Sequence, residues 1–99
     1  MEYLKTAYFD AYEHGCFEIK LNDHDVHSCY HMGVCDGDVE AAMEQDYIKE
    51  QVSKITNEAL EKVLVSYGCD FDEKDRNKME ALIVWLAASD IQEQESEEE

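Results

Sequence analysis

The sequence predicts a small single-domain α+β fold, in which an N-terminal helix, a β-hairpin and two or three further helices share one core. Three observations carry that expectation. The chain has 99 residues, 44% of them hydrophobic, with six Tyr, three Phe, one Trp and no proline, which suits one modest core rather than a disordered polymer. Its apolar residues recur at helical spacing near the start, at a spacing of two through residues 17–34, and at helical spacing again beyond residue 36. The four glycines (15, 33, 37 and 68) fall singly between those segments, and neither a repeat nor a linker divides the chain.

Residues 2–13 set Leu4, Ala7, Tyr8, Ala11 and Tyr12 on one helical face, with His14-Gly15 as a stop. Phe17, Ile19 and Leu21 then alternate with Glu18 and Lys20, which is strand period. Val26, Tyr30, Met32 and Val34 alternate in turn with His27, Cys29, His31 and Gly33. Joined by the turn chemistry of Asn22-Asp23-His24-Asp25, the two runs pair with Leu21 facing Val26 and Phe17 facing Tyr30, so their apolar faces coincide. The competing reading is a short helix from Asp25 to Met32, which leads to an all-α domain.

A long acidic helical region follows. Asp36-Gly37-Asp38 is helix-start chemistry. Val39, Met43, Ile48, Val52, Ile55, Ala59, Val63 and Tyr67 then step mostly by three or four before Gly68 closes the run. Ser53, Thr56 and Asn57 compete for backbone hydrogen bonds and mark a break, giving one bent helix or two. Asp70-Phe71-Asp72 opens the last helix, whose inward stripe is Met79, Leu82, Ile83, Leu86 and Ile91. From Ala81 to Ala88 it is apolar nearly all round, so it either lies in the middle of the domain or meets another chain. The globular domain thus spans residues 1–91, and 92–99 read as an unfolded acidic tail.

Charge narrows the function classes. The formal charge is −17, and removing the five glutamates of the tail from the 25 acidic residues still leaves 20 against 8 basic ones. Such a body repels nucleic acid and anionic membranes and attracts basic partners. Met1-Glu2-Tyr3 lacks the basic start and apolar run of a signal peptide, and no segment approaches the roughly 20 apolar residues of a membrane span. Cys16, Cys29, Cys35 and Cys69 are therefore expected as thiols in a reducing cytoplasm, the host's if the chain is viral.

The acidic helix directs Asp36, Asp38, Glu40, Glu44, Asp46 and Glu50 outward against the single Lys49, and Tyr47 lies off the apolar stripe as a candidate contact residue. Carboxylates three and four residues apart on a helix lie about 5–6 Å from one another, comparable with successive phosphates of one DNA strand. These features point to a non-enzymatic interaction or inhibitor protein that fills the basic groove of a nucleic-acid-binding protein. In charge and size it is analogous to the small acidic proteins of viruses and mobile elements that block restriction, CRISPR or repair enzymes.

Two other classes remain open. In the hairpin register Cys16 lies opposite His31 and Cys29 opposite Glu18, so Cys16, Cys29, His31 and Cys35 are a candidate zinc set for a small regulatory domain. Against it, no Cys-x-x-Cys pair is present and Lys20 opposes His27. No other cofactor is expected. The Cys16–His31 pair lacks the orienting group and oxyanion site of a nucleophilic enzyme. A helical dimerisation or adaptor module would instead use the Val84, Trp85 and Ala88 region. Asp75 and Ala81 stand where a calcium loop beginning at Asp70 requires Gly and Glu, and phosphate-binding glycine patterns and a nucleophile elbow are absent.

Overall fold

A computed structural model describes residues 4–32 and 44–97, with side chains described over 4–27 and 44–94. The elements are β1 (Leu4–Asp10), a single 3-10 turn (Tyr12–His14), β2 (Cys16–Asn22), α1 (Asp23–Met32), α2 (Asp46–Ser53), α3 (Asn57–Ser66) and α4 (Arg76–Glu97). An α+β domain with one antiparallel hairpin and several helices is what forms, but the hairpin lies one segment earlier than the sequence predicts.

The expected N-terminal helix is β1. Ala7, Phe9 and Ala11 point inward with period two, pairing Ala7 with Ile19 and Phe9 with Phe17. The helical stripe leaves Phe9 on the polar side, and burial of this ring to 3% exposure decides for the strand. Phe9 stacks on Phe17 with centroids 5.3 Å apart. Between the strands the chain turns through Tyr12 (φ 57°) and Gly15 (φ 92°), with the Asp10 carboxylate accepting from the Tyr12 N–H at 2.8 Å.

The expected second strand is α1, the competing helical reading. Asn22-Asp23-His24-Asp25 is a helix start rather than a hairpin turn. Asn22 Oδ1 accepts from the Asp25 N–H at 2.8 Å, and Asp23 and Asp25 occupy the first turn. The same Asx chemistry serves a turn or an N-cap; here it caps a helix, and β2 pairs with β1 instead.

The break in the acidic helical region occurs where the sequence places it, with α2 ending at Ser53 and α3 starting at Asn57. Thr56 caps α3, its side chain accepting from the Ala59 N–H at 3.2 Å. Gly68 (φ 82°) ends α3 in a Schellman arrangement, with the Cys69 N–H reaching the Leu64 carbonyl at 2.9 Å. The last helix starts at Arg76, later than Asp70-Phe71-Asp72 suggests, because Asp72 caps a tight turn at Lys74 while Asp75 caps the Lys78 N–H. It also runs to Glu97, past Gln92, where the charge run implies an unfolded tail; glutamine and glutamate are good helix formers, and Gln94 bonds Asp90 one turn back at 3.1 Å.

Helix α4 is central. It packs on β1, β2, α1 and α3, burying Met79, Ile83, Val84, Leu86, Ala87, Ala88 and Ile91. Of the apolar surplus at residues 81–88, Ile83, Val84, Leu86, Ala87 and Ala88 are buried inside the domain, and Ala81, Leu82 and Trp85 are half-buried against the core. From α2 come Ile48 and Val52, from α3 Leu60, Val63 and Leu64, and from β2 Ile19 and Leu21. Arg76 locks the α2–α3 break to α4. Its guanidinium donates to the Val52 and Ile55 carbonyls (2.9 and 2.7 Å), to Asn57 Oδ1 (2.6 Å) and to Glu80 (2.8 Å). Among the described residues, no helix is long and apolar enough to cross a membrane.

Candidate functional site

Helix α2 and the outer edge of β2 meet along one line. Positions 16, 18, 20 and 22 of β2 are equivalent in the ladder, and Lys20 shows which way they face. Its N–H donates to Gln51 Oε1 at 2.7 Å and its carbonyl accepts from Gln51 Nε2 at 3.0 Å, both away from β1. One side-chain amide thus does what a neighbouring strand would do. Asn22, two residues on, directs its N–H to the Tyr47 hydroxyl at 3.4 Å.

The match has a geometric cause. Tyr47 and Gln51 are one turn apart, a rise of about 6 Å, and alternate strand residues advance by about 6.6 Å. A four-residue step on the helix therefore tracks a two-residue step on the strand. Helix α2 stops at Ser53, so the edge at Glu18 lies beyond its reach. There a groove of about 570 Å³ opens, lined in part by Phe17, Glu18, Glu50, Lys54, Ile55 and Ala59.

Behind this line is a buried polar cluster. Asp25, 3% exposed, accepts from the Tyr47 hydroxyl and from Gln45 Nε2 at 2.8 Å. Tyr47 thereby stands between the Asn22 N–H and the Asp25 carboxylate, a three-member version of a capping box. Its hydroxyl is engaged inside and its ring is half-buried, so its predicted role as an outward contact falls to the exposed part of the ring.

Of the other predicted partner-binding residues, Glu44, Asp46 and Glu50 are exposed at the start and outer face of α2, where Lys54 pairs with Glu50 at 3.2 Å. Asp36, Asp38 and Glu40 lie outside the described residues. The proposed zinc set is not aligned by the register that suggested it. Cys16 faces Asp10 across the hairpin, its thiol 3.7 Å from the carboxylate, while Cys29 and His31 belong to α1 and Cys35 lies outside the described residues. Among the described residues, no group of three or more His, Cys, Asp or Glu is placed to hold a metal ion. The Trp85 indole N–H is buried with no hydrogen-bond partner among the described residues.

Sequence reasoning missed Gln51, Asp25 and Arg76. For Asp25 the signal was present, since Asn22 and Asp25 stand at capping-box spacing. For Gln51 and Arg76 it was not, because both act on backbone atoms distant in sequence.

Electrostatically the surface is one-sided. Among the described carboxylates only Asp25 is buried. Lys5, Lys20, Lys54 and Arg76 already sit beside Asp23, Glu18, Glu50 and Glu80 at 2.6, 3.5, 3.2 and 2.8 Å, and Lys62 stands over the Tyr12 ring at 5.0 Å. The field reaches side chains too, since Tyr67 is pushed above its ordinary value of 10.0, first by burial and then by Asp90 and Glu93. Compared with protein-family models, curated proteins and solved structures, the chain matches none.

Proposed function

We propose that this chain is an acidic interaction protein that occupies the basic groove of a nucleic-acid-binding protein, its carboxylates standing where phosphates would lie. The observation that carries this reading is the charge balance of the surface. The chain holds 25 acidic against 8 basic residues, and four of those cations are already paired. A solvated excess of this size steers a basic partner over distance and rejects a polyanion. Glu44 just before α2, and Asp46 and Glu50 on it, are the described part of this contact surface, and the acids Asp36, Asp38 and Glu40 precede them in the chain.

The test is capture of a partner from cell extract on the immobilised protein, followed by release with stepped salt or with duplex DNA. Binding should fall steeply with salt, and duplex DNA should displace the partner. Glu44→Lys combined with Asp46→Asn should weaken it at least about tenfold with an unchanged circular dichroism spectrum. A partner that survives high salt, or that DNA fails to displace, refutes the phosphate-mimic reading.

A further inference from the structure

We propose that the free edge of β2 at Glu18 seats an extended basic segment of the partner, which adds there as a third strand. This rests on the reading of the chain as a protein that captures basic partners, and it names how the partner is gripped. The β1–β2 register keeps one parity throughout, so Glu18 directs its N–H and C=O outward as Lys20 does. Gln51 satisfies Lys20 and the Tyr47 hydroxyl meets Asn22, but α2 ends before Glu18. Among the described residues, nothing bonds the Glu18 backbone groups.

The space beside that edge fits a strand. A neighbouring strand lies about 4.8 Å away, and the adjoining groove of about 570 Å³ follows β2 from Cys16 to Lys20. Alternate side chains of a docked strand face opposite ways. One set would pack on the apolar wall of Phe17, Ile55 and Ala59, and the other would meet Glu18 and Glu50. Among the described residues those two carboxylates make exposed pairs with Lys20 and Lys54, at 3.5 and 3.2 Å, and exposed pairs give way at little cost.

Charge selects the occupant. A second copy pairing antiparallel about Glu18 would set Glu18 against itself and bring together two bodies of −17 each. A segment alternating basic and apolar residues meets neither penalty, and strand addition of this kind draws affinity from main-chain hydrogen bonds.

The experiment titrates the full chain with a short peptide of alternating lysine and valine, and with the same peptide N-methylated at every residue. Charge is equal in the two, but the methylated one cannot form a ladder. Nuclear magnetic resonance should place the shifted amides at Phe17, Glu18 and Lys20, and the methylated peptide should bind at least about tenfold more weakly. Glu18→Pro removes one outward N–H at a position where an edge strand tolerates proline, and it should lower affinity at least about fivefold beyond Glu18→Gln. Equal affinity of the two peptides, or equal loss in the two variants, overturns edge docking. Equal affinities that both collapse with salt would do so while leaving acidic capture standing. Discrimination between the peptides without salt dependence would uphold the edge and refute acidic capture.

Discussion

Tyr47→Phe isolates one hydroxyl that links three elements. That hydroxyl donates to the buried Asp25 in α1 and accepts from the Asn22 N–H at the end of β2, while its ring belongs to α2. Phenylalanine keeps the ring packed and removes only the polar link. Asp25 is 3% exposed and retains the Gln45 amide at 2.8 Å, so the variant leaves a buried carboxylate one donor short. A hydrogen bond to a charged group is worth about 1.5–3 kcal/mol, and the 3.4 Å contact from Asn22 adds less. A loss of about 2 kcal/mol follows, which lowers Tm by about 8–16 °C in a domain of this size. Urea unfolding at neutral pH should show a lower midpoint with an unchanged slope. In a double-mutant cycle with Asp25→Asn, the coupling should exceed about 1 kcal/mol. A change below about 0.5 kcal/mol in Tyr47→Phe would mean that water replaces the hydroxyl at the half-buried ring, and the three-member cap would then hold nothing.

Arg76→Lys should cost about 2 kcal/mol by urea unfolding, because an ammonium cannot serve Val52, Ile55, Asn57 and Glu80 together as the guanidinium fork does. Unchanged stability would show that the α2–α3 break holds its shape without the clamp. Tyr67 should ionise above 10.0 in the difference between the phenolate absorbance titrations of the parent and Tyr67→Phe, and Asp90→Asn should bring it down. Because the folded state holds this proton more tightly than the unfolded one, the associated stability is present below pH 10 and is lost as pH rises through the folded-state value. Tyr67→Phe should lack that part of the alkaline decline; a midpoint at or below 10.0 refutes the assignment.

What the sequence makes legible follows from where each signal originates. The α2–α3 break, the Gly68 stop and the inward Ile48, Val52, Val63 and Ile83 are local facts, fixed by period and capping chemistry, and the fold keeps them. Within the first 32 residues the strand at 17–21 is legible, while the segments on either side of it each fit two periods. Residues 4–10 satisfy a helical stripe and a strand alternation alike, and only the partner Phe17-x-Ile19-x-Leu21 decides between them. Here β1 takes that partner, and the Asx start of residues 23–32 serves as a helix cap instead of a turn. The expected Cys16–His31 opposition was tied to the wrong hairpin and disappears with it. The groove beside β2 depends on where a helix ends relative to a strand edge, which no single segment encodes.

The placement of the acids separates those that serve the fold from those that do not. Asp23 and Asp25 in α1, Asp46 in α2 and Glu58 in α3 occupy first turns, where the helix dipole favours a carboxylate by about 0.3–1 kcal/mol, and Asp75 caps α4. At the opposite ends the pattern is not optimised, since α2, α3 and α4 carry no basic residue in their last turns and α4 runs out through Glu93 and Glu95. A net charge of magnitude about 2–8 keeps a small domain dissolved, so −17 exceeds that need by about nine charges, each adding self-repulsion. Neither helix energetics nor solubility accounts for this surplus, whereas capture of a cationic partner would use it directly. Neutralising first-turn acids should therefore lower stability, while neutralising Glu44, Glu61 or Glu93 should leave stability equal or higher and weaken only the capture of cations.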